Sequence, residues 1–401
     1  MLKVVTTDEA LNIIGEKFNI TKSAETVSLT QSLGRVLYED AVSGENIPGF
    51  DRSTVDGFAV KASDTYGSSE TTPGQLEIIG EILMGEKSEF EITDGQCVRI
   101  STGGMLPEGA DSALMVEHSD SSLEPYCLCM KTVSPYENVT RKGDDVRAGD
   151  VLFRKGTVIT SREIGVLASV GISKIQVSEK VRVGIISTGD EIVPIESESV
   201  FGKIRDINSH ILSALMRELG CEAKEYGIIP DNYESICKAI KKACDENDIV
   251  LISGGSSAGA RDMTAAAIEK YGEVYLHGIA MKPGKPTIVG NIDGKAVFGL
   301  PGHPAAAYFV ALRLVRPLID SALCRKDSSR TLQGNLVQNI SSNHGREEIV
   351  CVRLCGEGVE PVFGKSGIVS MLSQCDGYII IPRNQEGLRA GVQVTIYLFE
   401  R

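Results

Sequence analysis

The chain has no surplus of positive charge. Its 401 residues hold 41 Lys and Arg against 54 Asp and Glu, a formal net charge of −13. A nucleic acid or an anionic membrane is therefore not the expected partner, and any bound anion needs positive charge gathered locally. No apolar run comes near the roughly twenty residues of a membrane span, and no leader with charged, apolar and small-residue regions opens the chain. The expectation is a cytoplasmic protein. The ten cysteines include no CxxC spacing, so neither a zinc centre nor a disulfide framework is expected; they read as small buried hydrophobes and a few surface thiols. What is present, 42% hydrophobic and 24% charged residues, is ordinary for a soluble enzyme, and the length calls for roughly two to four domains.

The most informative stretch runs from Asp248 to Pro304. Ile249, Val250, Leu251 and Ile252 form an apolar run too short for a helix and read as a buried strand of a parallel sheet. Ser253, Gly254, Gly255, Ser256, Ser257, Ala258 and Gly259 follow, with so little side-chain bulk that backbone N–H groups can turn toward an anion. Asp262 and Thr264 read as the start of a helix whose positive end faces the same place. Met281 to Pro286 (MKPGKP) places Lys282 and Lys285 in a corner stiffened by Pro283 and Pro286, and GLPGHPAAA follows another short strand, Ala296 to Leu300. A single glycine-rich turn is most often only a turn. Three such corners at carboxyl ends of strands point to a ligand, because open α/β sheets bind there.

Taken in order, residues 1–40 carry helical spacing at Ala10, Ile13 and Ile14 and again at Leu29, Leu33, Val36 and Leu37. From Ala41 to about Val146, short segments broken by Gly, Pro, Asp and Ser predict a β-rich module. It contains DRSTVDGFAV, with Asp56 and Gly57 at a turn, and STGGMLPEGAD, with Thr102 in a second turn. Ser161 to Gly171 reads as a helix. Strand and helix then alternate through VRVGIIS, a helix capped by Asn208 or Ser209, Tyr226 to Ile229, and a helix with Ile236 and Ile240 on one face, which implies a parallel sheet covered on both sides. After Arg330 the alternation is lost, and EEIVCVRL, GYIIIP and VQVTIYLFE read as strands of a separate β domain. The fold class is thus multidomain α/β, with boundaries at 1–45 plus 147–178 (helical arm and linker), 46–146 (inserted β module), 179–326 (doubly wound α/β domain) and 327–401 (C-terminal β barrel).

Asp190, Glu191, Asp206, Asp231 and Asp262 lie just beyond strands or at helix starts. Acids there often serve only as caps or turn formers, worth about 1 kcal/mol each. Gathered at one rim beside Lys282, they also have the composition of a hard-cation site.

SGGSSAGARD, MKPGKP and LPGHP, behind STGDE and DINSHIL and preceded by VDGFAV, STGGMLPEGAD and RKGDDV, resemble the MoeA family of molybdopterin molybdenumtransferases, which includes the E domain of gephyrin. The likeness runs from about residue 5 to the C-terminus. It implies an elongated homodimer whose cleft lies between the α/β domain of one subunit and the β module of the other. It implies insertion of molybdate into adenylylated molybdopterin with Mg²⁺ and release of AMP, and contact with a molybdopterin adenylyltransferase or other cofactor-assembly proteins. Carried over by position, the functional residues are Asp56, Thr102, Asp145, Glu191, Asp231, Asp262 and Lys282. Ser253, Gly254, Gly255, Ser257, Gly259, Lys285, Pro301, Gly302 and Pro304 hold the pterin nucleotide, and Glu191, Asp231 and Asp262 the metal. The chain departs from the family at Ser256 and Ala258, where two valines are common. His303 stands where Asn and His alternate, as a phosphate donor or a structural histidine, and Ser366 and Ser370 match a serine-bearing loop only loosely. Two other readings stay open: an adenylyltransferase acting on the pterin, and a non-catalytic scaffold.

Overall fold

The computed structural model describes residues 4–198, 201–254, 258–326, 329–364 and 369–399. The first helix, Thr7–Lys17, opens with a capping box in which the Thr6 side chain takes the Glu9 N–H and the Glu9 carboxylate takes that of Thr6. Ala10 and Ile14 bury its inner face. The second helix expected in this region does not form. Ala24–Ser28 is a strand antiparallel to Lys174–Ser178, and Val36 and Leu37 are buried, Leu37 packing with Ile159, Leu167 and Val177. Here the spacing of apolar residues is met by a partner strand about 150 residues away, which periodicity within a short window does not register.

The inserted module is a six-stranded sheet in the order Ser112–Met115, Gly57–Val60, Gln96–Ile100, Gly74–Ile82, Tyr126–Cys129, Ser119–Asp120. Its core includes Phe58, Leu76 and Leu114 together with the fully buried Cys97, Cys127 and Cys129. Those thiols behave as the small hydrophobes expected of them.

The α/β domain carries a sheet ordered Glu222–Ile229, Arg182–Thr188, Ile249–Gly254, Lys295–Leu300, Ile288–Ile292, Gly272–His277. Side chains of the central strands point alternately to two cores, Ile185 and Leu251 to one, Ile186, Val250 and Ile252 to the other, so both faces are covered. The first four strands are parallel, as expected; Ile288–Ile292 is antiparallel to both neighbours. The cause is local. Asp293 (φ 51°) and Gly294 (φ 79°) make a two-residue hairpin turn of the type Asp-Gly favours, a signal masked by the strand-helix alternation around it.

The C-terminal domain is a near-barrel sheet in which Glu347–Cys355, Gly377–Ile381, Gln393–Leu398 and Thr331–Asn335 are consecutive neighbours. Met281–Lys282 from the α/β domain adds itself as its outermost strand, parallel to Glu347 and Glu348. Among the described residues no helix is long and apolar enough to cross a membrane.

Candidate functional site

One row of paired residues runs across the α/β sheet: Ile186, Ile252, Gly299, Ile288, His277. Strands ending at Thr188, Gly254, His277 and Leu300 therefore emerge at a single edge, and the three small-residue corners of the sequence all lie there. Gly254 has φ 146°, and a Cβ on it would stand 2.0 Å from the Thr188 carbonyl oxygen, so only glycine lets the chain leave the strand so close to its neighbour. Gly255, Ser256 and Ser257 lie outside the described residues. The helix beyond them runs Ala258–Tyr271, so it starts before Asp262, and Gly259 belongs to its first turn rather than to a loop. Asp262, exposed, is a second-turn residue and not the cap its position suggested.

Two cavities open at this edge. The smaller, about 260 Å³, is walled by Ser187, Thr188, Glu191, Asn208, Ser253, Gly254, Gly302 and Pro304. Asn208 ties it together: its amide nitrogen donates to Ser253 Oγ (2.6 Å) and to the Gly302 carbonyl (2.9 Å). Asp206, not Asn208, takes the buried Ser209 N–H at the helix start, at 3.1 Å. The buried Asn208 Oδ1 and Ser187 Oγ, both on residues of the cavity wall, have no hydrogen-bond partner in the structure.

Beside it stand the acids. Asp231 accepts nothing at its buried Oδ1, while its N–H donates to Asp190 Oδ1 at 3.1 Å. Burial, then the negative charges of Glu191 and Asp190, push the Asp231 carboxyl above its ordinary range, partly offset by the Thr188 hydroxyl. An acid in that state suits a cation. Yet among the described residues no three His, Cys, Asp or Glu side chains converge as a metal-ligating group, so Glu191 and Asp231 are joined to no third such ligand, Asp262 included.

The larger cavity, about 720 Å³, lies between the α/β and C-terminal domains. Lys282, Lys285 and Arg346 give it a cationic wall, with His303 at its rim, over an apolar floor of Phe309, Ile349 and Met371. The corner is held by the Ile279 N–H donating to the Lys285 carbonyl (2.9 Å) and the Thr287 hydroxyl to the Gly284 carbonyl (2.6 Å). Lys282 Nζ pairs with Glu348 at 2.7 Å. Pro301 lines this cavity, Gly302 and Pro304 line the smaller one, and His303 lines both. Ser370 opens a four-residue helix, Ser370–Ser373, whose Met371 lines the larger cavity; Ser366 lies outside the described residues.

Asp56, Thr102 and Asp145 line neither cavity. In the inserted module the Thr102 N–H and hydroxyl both donate to Asp56 Oδ1 (2.7 and 3.0 Å), and these bonds hold the Asp56 carboxyl below its usual range. Gly57 follows with φ 155°, where a Cβ would meet the Leu114 carbonyl oxygen at 1.9 Å. Asp145 is exposed on the adjoining turn, its N–H donating to the Ile47 carbonyl.

Family profiles match the chain over residues 5–171 (MoeA N-terminal region, domains I and II), 184–321 (probable molybdopterin binding domain) and 333–399 (MoeA C-terminal region, domain IV). A Methanocaldococcus jannaschii protein named for molybdopterin biosynthesis is 38% identical over 96% of this chain and 95% of its own length. The chain belongs to the MoeA family. A molybdopterin molybdenumtransferase of Staphylococcus epidermidis is 32% identical over 93% of this chain and 91% of its own. The crystal structure of a MoeA protein from Pyrococcus horikoshii superposes with a TM-score of 0.87 at 39% identity, covering 100% of both chains.

Membership in the MoeA family accords with the multidomain architecture of an α/β domain, a helical region and a C-terminal β-rich domain. Ser187, Asn208, Arg346 and Glu348 are site residues to which the sequence alone assigns no binding role. Asn208 stood inside the quoted DINSHIL motif but was assigned a capping role. Glu348 sits in the C-terminal strand Glu347–Cys355 and Arg346 just before it, and they reach the site through a tertiary strand pairing for which the sequence holds no local signal.

Proposed function

We propose that this chain is a molybdopterin molybdenumtransferase, inserting molybdate into adenylylated molybdopterin and releasing AMP. The observation that carries the reading is the pair of adjoining cavities that share His303: one narrow and lined by small polar residues, the other wide and cationic. The pterin nucleotide takes the first, with Ser253, Gly254, Gly302 and Pro304 against it and Asn208 and Ser187 supplying hydrogen bonds. Lys282, Lys285 and Arg346 receive the doubly charged oxyanion, in a chain whose overall charge of −13 offers it little elsewhere. Glu191 and Asp231 would hold Mg²⁺, without Asp262, which does not converge with them; the unpartnered oxygen and raised carboxyl of Asp231 fit that use. A bound divalent ion supplies charge neutralisation at the phosphate group to be cleaved. Asp56, Thr102 and Asp145, which line neither cavity within one chain, act from a second subunit in a homodimer. The protein works in the cytoplasm, in line with its free thiols, seven of the ten buried.

The test is direct. Purified protein given adenylylated molybdopterin and molybdate releases AMP, and Lys282→Ala lowers that rate by about 10²-fold or more, the usual loss on removing one preorganised donor at an oxyanion. Pyrophosphate formed from ATP and molybdopterin would instead assign adenylyl transfer, and undiminished turnover in Lys282→Ala would remove that lysine from the site.

A further inference from the structure

Among the described residues the cationic cavity contains one group that opposes its charge. Glu348 places one carboxylate oxygen 2.7 Å from Lys282 Nζ, and its other oxygen accepts the Ser342 hydroxyl at 2.7 Å. The glutamate side chain is 13% exposed and the lysine 46%, so the carboxylate is the fixed member of the pair. Backbone register enforces the arrangement: Lys282 lies directly opposite Glu348 on parallel strands, and Arg313 grips the neighbouring Glu347 at 3.2 and 3.3 Å. A cavity made only to bind a dianion tightly would omit this carboxylate. Its repulsion for an anion of charge two is twice that for an anion of charge one.

We propose that Glu348 is a specificity-determining residue that admits oxyanions able to share a proton and rejects those that cannot. The proposal rests on the reading that Lys282 faces the oxyanion. Two negative groups held in contact inside a protein raise each other's affinity for a proton, which paired carboxylates share. The ease of sharing depends on the basicity of the incoming oxygen. Hydrogenmolybdate is a much weaker acid than hydrogensulfate, so molybdate takes a proton from solvent against Glu348 where sulfate, of like charge and shape, does not. Glu348 thereby discriminates between two tetrahedral dianions that the cations alone treat alike. The other charged or titratable groups facing Glu348 in the cavity are Lys282, Lys285, Arg346, His303 and Cys351.

Titration calorimetry of molybdate into the full-length protein, in two buffers of different ionisation enthalpy, reads the proton directly. Wild type is expected to take up about one proton per molybdate. Glu348→Gln should take up none, and Glu348→Asp should restore the uptake. Sulfate should compete about tenfold better with molybdate in Glu348→Gln than in wild type, because the new amide N–H donates to it. No uptake by wild type, equal uptake in Glu348→Gln, or an unchanged sulfate-to-molybdate ratio overturns the proposal. The wild-type measurement stands even if the variant fails to fold. Lys282→Ala separates this from the parent reading: if it binds molybdate as wild type does, the oxyanion is elsewhere and both fall. If it loses molybdate while wild type shows no proton uptake, the site stands and the role of Glu348 alone is refuted.

Discussion

At the scale of single residues, environment rather than residue type separates the acids. Asp56 is lowered by two hydrogen bonds from Thr102, and Asp231 is raised by burial and by Glu191 and Asp190. A raised carboxyl favours the folded state below its unfolded pKa and loses that contribution as pH climbs through the higher folded value, so at neutral pH Asp231 costs stability. Asp231→Asn should therefore melt about 2 °C above wild type at pH 7, with the gap closing near pH 4, in thermal unfolding followed across that range. Mg²⁺ in the millimolar range should shrink the gap too, since a cation relieves the same repulsion; a gap independent of both pH and Mg²⁺ would remove the electrostatic explanation. The sequence identified which acids stand beyond strands. It did not tell Asp231 from Asp262, because burial and neighbouring charge are set by elements brought in from elsewhere.

At the scale of elements, the edge of the α/β sheet is where sequence reading reached furthest. Continuous apolar runs announced the central strands, and glycine and proline announced their corners, since buried strands and tight exits each demand particular residues. Gly254→Ala forces a left-handed backbone on alanine and drives its Cβ into the Thr188 carbonyl, so a loss of at least about 1 kcal/mol is expected in urea unfolding. A variant as stable as wild type would mean the strand exit relaxes freely. Element boundaries were less legible. The helix after the glycine-rich stretch begins at Ala258, before the acid that seemed to cap it, and Ala24–Ser28 became a strand despite helical spacing nearby. In the second case a strand partner remote in sequence overrode the local preference.

At the scale of the whole molecule, the proposed homodimer carries a consequence that a self-sufficient chain does not. If Asp56 acts across the interface on the cavity that holds Lys282, then subunits bearing Asp56→Asn and Lys282→Ala, each inactive alone, regain activity when unfolded and refolded together. Random pairing gives about one quarter of wild-type sites, because half the dimers are mixed and each mixed dimer has one intact site. No recovery, with dimers verified by sedimentation, would place both residues in the site of a single chain. By itself the sequence determined the family, the β-α alternation, the buried strands and the corners that meet at one edge, because these follow from local residue type and short-range pattern. Tertiary structure alone decided that the lysine corner joins the C-terminal sheet, that Glu348 and Arg346 enter the cationic cavity, and that Asn208 braces the small one. Each depends on strand register or packing between distant segments, and such free energies belong to pairs of residues that the chain brings together only on folding.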